Sequence, residues 1–323
     1  MGGNVFPGYT GRMTRKEFLG IENEVMSMLQ LSGHALLVYD IPAYKSKESF
    51  GDLDLLVVAS DSFSRKSLQE TFGCGDLISN NGGVWSLVYK DFQVDLITID
   101  CGIARYARNY FSWNDRGNLV GRYAHKLGLK HGHDGLWFPV RSADHVLGEV
   151  LLTLNHYQAE NFLGVDCRAS FDTLEDVFKN VSNSKYFNPD IFLLENRNHT
   201  ARTRDRKRAS YTVFLEWCEV YKKENPEREY FKYEGKSSYI EMIFEEFPHA
   251  RVEYDKLMEK KRLTELYAMK FNGNLVREWT GKDGVVLGEF MKKLKVFMTK
   301  ESVAELPEWA VKAVVVAYME RGL

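Results

Sequence analysis

A pair of aspartates at the start of an apolar segment constrains the fold of this chain more than any other sequence feature. A polar, basic loop ends in Gly51, and Asp52 and Asp54 follow it at the head of the apolar run 55–58. Such a run predicts a buried β-strand, on which residues two apart share a face. Asp52 and Asp54 are therefore predicted to point the same way, while Leu53 points into the core. Two carboxylates this close repel each other unless a cation lies between them, and hard oxygen ligands suit Mg²⁺.

A third aspartate lies inside another apolar segment, residues 92–99. Asp95 on a central strand would be costly to bury without a partner, and the preceding Lys90-Asp91 pair predicts a tight hairpin that places it beside the first two aspartates. Three clustered carboxylates can hold two metal ions, which stabilise the attacking and leaving oxygens of a phosphoryl displacement. The alternative is that all three aspartates lie at solvent-exposed strand ends. The basic loop and the second aspartate-bearing strand favour the metal site.

The order of these motifs resembles the DNA polymerase beta-like nucleotidyltransferase superfamily. Gly-Asp-Leu-Asp at 51–54 and Val-Asp at 94–95 are similar to its catalytic strands. The segment 110–118 looks like the Tyr-Phe-x-Gly-Ser-x-x-Phe-Asn segment of family X polymerases, and residues 122–137 are similar to the helix, Gly-Leu-Lys strand and His-Gly-Leu hairpin that follow it. The likeness covers roughly residues 35–150 and implies a nucleotidyltransferase palm.

The resemblance also implies roles for individual residues. Asp52, Asp54 and Asp95 match the metal-binding, catalytic carboxylates, with two Mg²⁺ ions expected, and Asp95 would also take the proton of the attacking 3′-hydroxyl. The other matched positions would bind the nucleoside triphosphate: Lys45, Ser49 and Gly51 at its phosphates, Tyr110 and Phe111 at its sugar, and Asn118 near its base.

Two positions depart from the family pattern. The Gly-Ser that opens the family's first motif is replaced by Ile41-Pro42, and the Gly-Ser of the second motif is replaced by Trp113-Asn114. Both changes leave the metal ligands in place. They bear on nucleotide preference and binding strength rather than on the type of reaction.

The C-terminal part of the chain has a resemblance of its own. Residues 271–275 and 281–290 are similar to the helical region of tRNA CCA-adding enzymes and bacterial poly(A) polymerases, where a glycine-rich pattern precedes a helix that packs near the RNA. The match covers about residues 265–298. It implies a helical region that acts together with an RNA substrate.

One dense basic segment, residues 197–208, carries six positive charges against Asp205. Its functional interpretation is that it binds a nucleic-acid phosphate backbone, and the alternative is a solvated helix face. Given the nucleotidyltransferase-like head, we expect five residues to bind nucleic acid: Arg202, Arg204, Arg206, Lys207 and Arg208.

The hydrophobic periodicity predicts an α+β fold with two domains. Periodicity gives residues 1–150 a mixed β-sheet with helices on one face and makes residues 151–323 all-α. The resemblance implies that the first is a nucleotidyltransferase catalytic domain, a palm, and that the second is a nucleic-acid-binding domain. Within this scheme Thr14 caps a helix that ends at Gly33, a helix begins after Ser142-Ala143-Asp144 and runs to about Leu154, and another spans 203–224.

Bulk composition excludes a strongly basic nucleic-acid coat, because the formal net charge of the 323 residues is −2. Any nucleic-acid surface must therefore be a local patch. Four scattered cysteines without a Cys-x-x-Cys motif predict free thiols in a reducing compartment. With neither an apolar signal core nor a run of membrane-spanning length, we expect a cytoplasmic protein with no membrane partner.

Three functions remain open at this stage. The leading one is a Mg²⁺-dependent nucleotidyltransferase (the EC 2.7.7 class) that adds nucleotides from NTPs to a nucleic-acid 3′ end, with RNA or tRNA favoured by the helical tail. A DNA polymerase that fills gaps with dNTPs fits segment 110–118, but residues 1–42 leave no room for the small DNA-binding domain usual in that family. The third is a non-catalytic nucleic-acid-binding protein, which the three clustered carboxylates argue against.

Overall fold

The computed structural model describes residues 5–143, 145–168 and 170–321, and it confirms an α+β chain with a mixed sheet and a helical C-terminal region. The strands are β1 (Met13–Thr14), β2 (Ala35–Asp40), β3 (Ser49–Phe50), β4 (Asp52–Ala59), β5 (Ile78–Asn81), β6 (Val84–Tyr89), β7 (Phe92–Thr98), β8 (Lys130–Gly132), β9 (Gly135–Ser142) and β10 (His145–Thr153). The helices are α1 (Arg15–Ser32), α2 (Arg65–Phe72), α3 (Ala104–Phe111), α4 (Arg116–Lys126), α5 (His156–Phe162), α6 (Leu174–Ser182), α7 (His199–Arg206), α8 (Ala209–Glu224), α9 (Ile240–Glu246), α10 (Pro248–Lys270), α11 (Gly273–Thr280), α12 (Gly284–Leu294), α13 (Lys300–Glu305) and α14 (Glu308–Glu320).

The central sheet has five strands in the order β2-β4-β7-β6-β5. The middle strand, β7, is parallel to its neighbour β4, whereas the other neighbouring strands are antiparallel. The turn between β6 and β7 is the predicted tight hairpin, with Lys90 and Asp91 both at positive φ. The parallel register sets Asp54 directly opposite Asp95. The sheet thus brings together two carboxylates that are distant in sequence.

Helices cover both faces of this sheet, and the expectation of helices on one face was wrong. Strand β4 carries apolar residues at both its odd and its even positions, which point to opposite faces of the sheet. Neither face can therefore be left to solvent. Leu53, Leu55 and Val57 pack in a core with residues of α1 and α2, while Leu56 and Val58 pack against α3. Asp52 and Asp54 share their parity, and therefore their face, with Leu56 and Val58.

The first helix follows its sequence signals closely. The Thr14 side chain accepts a hydrogen bond from the backbone N–H of Glu17, and the Glu17 carboxylate accepts from the backbone N–H of Thr14, which is the reciprocal capping box. Gly33 ends the helix at φ 72°, in the left-handed region that glycine adopts without strain. Between these ends Phe18, Ile21, Val25 and Leu29 are buried against the sheet.

Two segments differ from the sequence expectation. The segment after Ser142 forms strand β10 rather than a helix, because Val150 and Leu152 alternate with more exposed residues at the period of a strand; Asp144 lies outside the described residues. The predicted helix 203–224 is broken into α7 and α8, since Arg208 adopts an extended backbone (φ −97°, ψ 111°). No helix in the described part of the chain is long and apolar enough to span a membrane.

The described chain forms two compact units whose limits differ from the single boundary expected near residue 150. The first contains the residues up to Phe138 together with Leu151–Glu246, and the second contains Pro139–Val150 together with the residues from Phe247 onward. Residues 151–246 therefore belong with the central sheet. The second unit has its own core, formed by residues of α11 to α14 and their connections: Phe271, Val276, Phe290, Leu294, Met298, Val303, Val311 and Val315.

Candidate functional site

Three carboxylates converge where β4 begins. One oxygen from each of Asp52, Asp54 and Asp95 lies within 4.8 Å of the other two, and all three residues are half-buried. Asp54 and Asp95 face each other across the parallel pair β4–β7, and Asp52 lies two residues earlier on the same face. Such a group of hard oxygen donors could hold a metal ion.

The electrostatics of this cluster favour a bound cation. Burial and the neighbouring charges of Asp52 and Asp95 raise the pKa of Asp54 to about 8, and the nearby Lys47 opposes that rise. Burial also raises the pKa of Asp95, although hydrogen bonds from Ser86 and Gln93 act in the opposite direction. Burial and mutual repulsion therefore disfavour the ionised form of these carboxylates, and a divalent cation bound there would oppose both effects.

Gln93 orients one of the three carboxylates, a role that the sequence analysis missed. Its Nε2 donates to both oxygens of Asp95, at 3.0 and 2.9 Å, and its Oε1 accepts from the backbone N–H of Val5 at 2.9 Å. The side chain is only 2% exposed, so both ends of its amide are fixed. The signal in the sequence was a polar residue two positions before Asp95, on the same face of an apolar strand.

Replacing Gln93 with methionine is expected to lower the affinity of the carboxylate cluster for Mg²⁺ by about 10- to 100-fold, as is usual when a residue that orients a metal ligand is lost. Methionine fills a similar volume but donates no hydrogen bond, so Asp95 can rotate. Titration calorimetry with Mg²⁺ measures the change. Gln69→Met on α2, whose amide bonds only the exposed Gly75 carbonyl, is the matched control. An affinity in the Gln93 variant equal to that of the control would show that Gln93 does not position Asp95 for metal.

The loop before β4 is fixed to another part of the first unit. The ammonium group of Lys45 lies 2.7 Å from an oxygen of Asp172, with both side chains largely exposed. The Lys45 backbone N–H donates to the Phe171 carbonyl. Ser49 accepts a hydrogen bond from Arg12 Nε at 2.8 Å through its hydroxyl, and Gly51 connects β3 to β4. These three predicted phosphate-binding residues lie within seven positions before Asp52 in the sequence. Lys45 already pairs with Asp172.

The second predicted motif lies at the end of α3, against the same loop. The backbone N–H of Trp113 donates to the Pro42 carbonyl at 2.8 Å, which joins the two motifs. Tyr110 and Phe111 are half-buried and in edge-on contact with each other. A side chain at Gly117 would place its Cβ 2.1 Å from the Tyr110 carbonyl oxygen, so glycine is required where α4 approaches α3 so closely.

Asn118 contacts the basic segment 197–208. Its Oδ1 accepts from Arg204 at 2.8 Å, and Arg204 Nε lies 3.1 Å from the buried carboxylate of Asp205. The charges of Arg204 and Arg208 also oppose the rise in the pKa of Tyr110 that burial causes. The segment predicted to bind nucleic acid therefore lies next to the residues predicted to bind the nucleotide.

The five basic residues predicted to bind nucleic acid differ in what they contact. Arg202 donates to backbone carbonyls, including that of Leu194 at 2.9 Å. Arg208 pairs with Asp115, whose other oxygen accepts from Ser210. Arg206 and Lys207 are exposed. Arg202, Arg204 and Arg208 thus have partners within the described part of the chain, and Arg206 and Lys207 are exposed.

No protein-family model and no curated protein matches this chain. The functional assignment therefore depends on the residues of the site and their geometry.

Proposed function

We propose that this protein is a Mg²⁺-dependent nucleotidyltransferase with a polymerase beta-like palm, which adds nucleoside monophosphates from NTPs to the 3′ end of a nucleic acid. The observation that carries the proposal is the convergence of Asp52, Asp54 and Asp95 within 4.8 Å. The order of motifs along the chain predicted this convergence, and the parallel register of β4 and β7 produces it.

The proposed reaction is an in-line displacement. The 3′-oxygen of the acceptor forms a bond to the α-phosphorus of the NTP, the bond from that phosphorus to the bridging oxygen of the β-phosphate breaks, and pyrophosphate leaves. Asp95 accepts the proton of the 3′-hydroxyl at a carboxylate oxygen. Bound at the three carboxylates, Mg²⁺ would supply electrostatic stabilisation of the phosphate charge and lower the pKa of that hydroxyl.

The protein environment of Asp95 suits the role of proton acceptor. Burial raises its pKa above the usual range for a carboxyl group, which makes its ionised form a stronger base. The two hydrogen bonds from Gln93 hold the carboxylate plane in one orientation. Because both groups lie on a strand in the middle of the sheet, their positions are fixed before substrate binds.

An RNA 3′ end, including that of a tRNA, is the acceptor that the sequence favours. Support comes from the resemblance of residues 265–298 to the helical region of CCA-adding enzymes. Exposed Arg206 and Lys207 offer positive charge to a phosphate backbone.

A primer-extension assay tests the proposal. Purified protein with Mg²⁺ is offered a tRNA lacking its 3′ end, a single-stranded RNA and a gapped DNA duplex, with each NTP and dNTP separately. We expect growth of the RNA substrates with NTPs, and none with the double variant Asp52→Ala/Asp54→Ala, which controls for contaminating polymerases. Templated growth of the DNA would assign the chain to gap filling. Equal activity of the double variant, or no growth on any substrate, would contradict the proposed function.

A further inference from the structure

The loop that precedes the carboxylates carries two lysines, and the structure directs them differently. Lys45 is fixed outward by three contacts: its ammonium group binds Asp172, its backbone N–H binds the Phe171 carbonyl at 2.9 Å, and the next backbone N–H, that of Ser46, binds the Asp172 carbonyl at 2.8 Å. Its side chain remains 64% exposed. The charge of Lys45 is thus used to hold the loop on the segment 171–172.

Lys47 lies over an aromatic ring just before β4 instead. Its ammonium group lies 4.5 Å from the centre of the Phe50 ring, two residues before Asp52. The side chain is half-buried, and burial lowers the pKa of its ammonium group while the charges of Asp52 and Asp54 act to raise it. Lys47 is therefore the lysine of this loop that lies in the field of the carboxylates, held over an aromatic ring by a cation–π contact.

Two arginines fix this part of the loop and add to its positive charge. Arg15 donates from one guanidinium nitrogen to the carbonyls of Tyr44 and Lys47, both at 3.2 Å. Arg12 donates to the hydroxyl and the carbonyl of Ser49. The charges of both arginines act to lower the pKa of Lys47, so three cations stand close together at the edge of a three-carboxylate cluster.

The cations and the neighbouring carboxylates together fit a ligand that carries both negative and positive charge. If divalent cations neutralised Asp52 and Asp54, Lys47 would lose these two counter-charges, and a bound anion would replace them. A metal-bound nucleoside triphosphate would suit both groups: Asp52, Asp54 and Asp95 would hold the metal, and the basic side chains would bind phosphate oxygens.

We propose that Lys47, and not Lys45, is the lysine that binds the phosphates of the nucleotide, and that Lys45 is a positioning residue for the loop. This assignment depends on the proposed function, because it names the cation that acts in the same site. It differs from the assignment of Lys45 to the phosphates that the family resemblance implies.

The test is calorimetric binding of a non-hydrolysable NTP in the presence of Mg²⁺, with Mg²⁺ alone as a second titrant. Lys47→Met keeps the apolar stem over Phe50 and removes the charge. We expect it to weaken NTP binding by about 10- to 100-fold, the range for a lost charge-assisted hydrogen bond. Binding of Mg²⁺ alone should be equal or tighter, because a competing cation has gone. Lys47→Arg should recover part of the loss, and Lys45→Met should weaken NTP binding less than Lys47→Met.

Lys66→Met on the exposed surface of α2 is the matched control, and thermal unfolding of each variant confirms that it is folded. NTP binding by Lys47→Met equal to that of the natural chain, or a larger loss in Lys45→Met, would overturn the assignment while leaving the proposed function in place. If the natural chain binds neither Mg²⁺ nor the Mg²⁺–NTP complex, the proposed function and the assignment fall together.

Discussion

The variant Asp54→Asn is expected to be more stable than the natural chain in the absence of metal and to lose its stabilisation by Mg²⁺. Burial and the charges of Asp52 and Asp95 both oppose ionisation of Asp54, so the carboxylate costs the folded state free energy at neutral pH. With its pKa at about 8, Asp54 is ionised in the unfolded chain at neutral pH but largely takes up a proton on folding without metal, which costs free energy. Asparagine avoids this cost and should raise the free energy of unfolding by roughly 1–3 kcal/mol. A structural carboxylate would show the opposite sign, because its loss breaks favourable contacts.

Thermal unfolding with and without Mg²⁺ measures both effects. For the natural chain, Mg²⁺ at a hundred times its dissociation constant should add about 2.7 kcal/mol of stability, whereas Asp54→Asn should show almost none of this gain. Asp61→Asn, in the exposed turn after β4, is the control and should respond to Mg²⁺ as the natural chain does. A full Mg²⁺ response in the Asp54 variant would show that the metal binds at a site that does not depend on Asp54.

The parts of the site that depend on local sequence could be predicted, since period-two alternation is a property of single strands. The shared face of Asp52 and Asp54 and the buried Leu53 follow from that rule. The tight turn that leads into β7 follows from the Lys90-Asp91 pair between two strands. The position of Asp95 also required its strand to be the neighbour of β4. The predicted Lys90-Asp91 hairpin and the resemblance to a known family both placed the two strands side by side, and the register of Asp54 opposite Asp95 confirms that they are neighbours.

The parts that could not be predicted depend on contacts between distant segments. Nothing near Lys45 in the sequence indicates that Asp172 would bind it, 127 positions away. The same holds for the Trp113–Phe171 ring contact beside Tyr44, which packs the loop against the segment that follows α5. For this reason the sequence assigned residues after 150 to a separate domain, although those up to Glu246 belong with the sheet.

A buried ion pair joins α5, in the part of the chain after residue 150, to α4, the helix that carries Asn118. Arg116 binds both oxygens of Glu160, at 2.6 and 2.7 Å, and the two side chains are 2% and 1% exposed. Arg116 also donates to Asn180 and to the Asp166 carbonyl. Burial alone would raise the pKa of Glu160, yet the hydrogen bonds and charge of Arg116 outweigh it, and the pKa lies below the usual range. Both groups are therefore charged in the folded protein.

Replacing Glu160 with glutamine is expected to destabilise the protein by about 3–5 kcal/mol, because it leaves the buried guanidinium of Arg116 without its counter-charge. Chemical denaturation of the natural chain and the variant measures the loss. The matched control is Glu175→Gln, which removes an ion pair of similar length, Glu175–Lys179 at 2.9 Å, that is more than half exposed at both ends. That change should cost about 0–1 kcal/mol.

The double variant Arg116→Met/Glu160→Gln measures the interaction free energy between the two residues of the pair. If the cost of Glu160→Gln is mainly an uncompensated buried charge, removing that charge as well should cost clearly less than the sum of the two single changes, with a coupling free energy of about 1–3 kcal/mol. If the two single changes lower the free energy of unfolding additively, or if Glu160→Gln lowers it no more than Glu175→Gln does, the ion pair does not hold α5 against α4. In that case the docking of the loop on residues 171–172 would depend on the Trp113–Phe171 contact and the backbone hydrogen bonds alone.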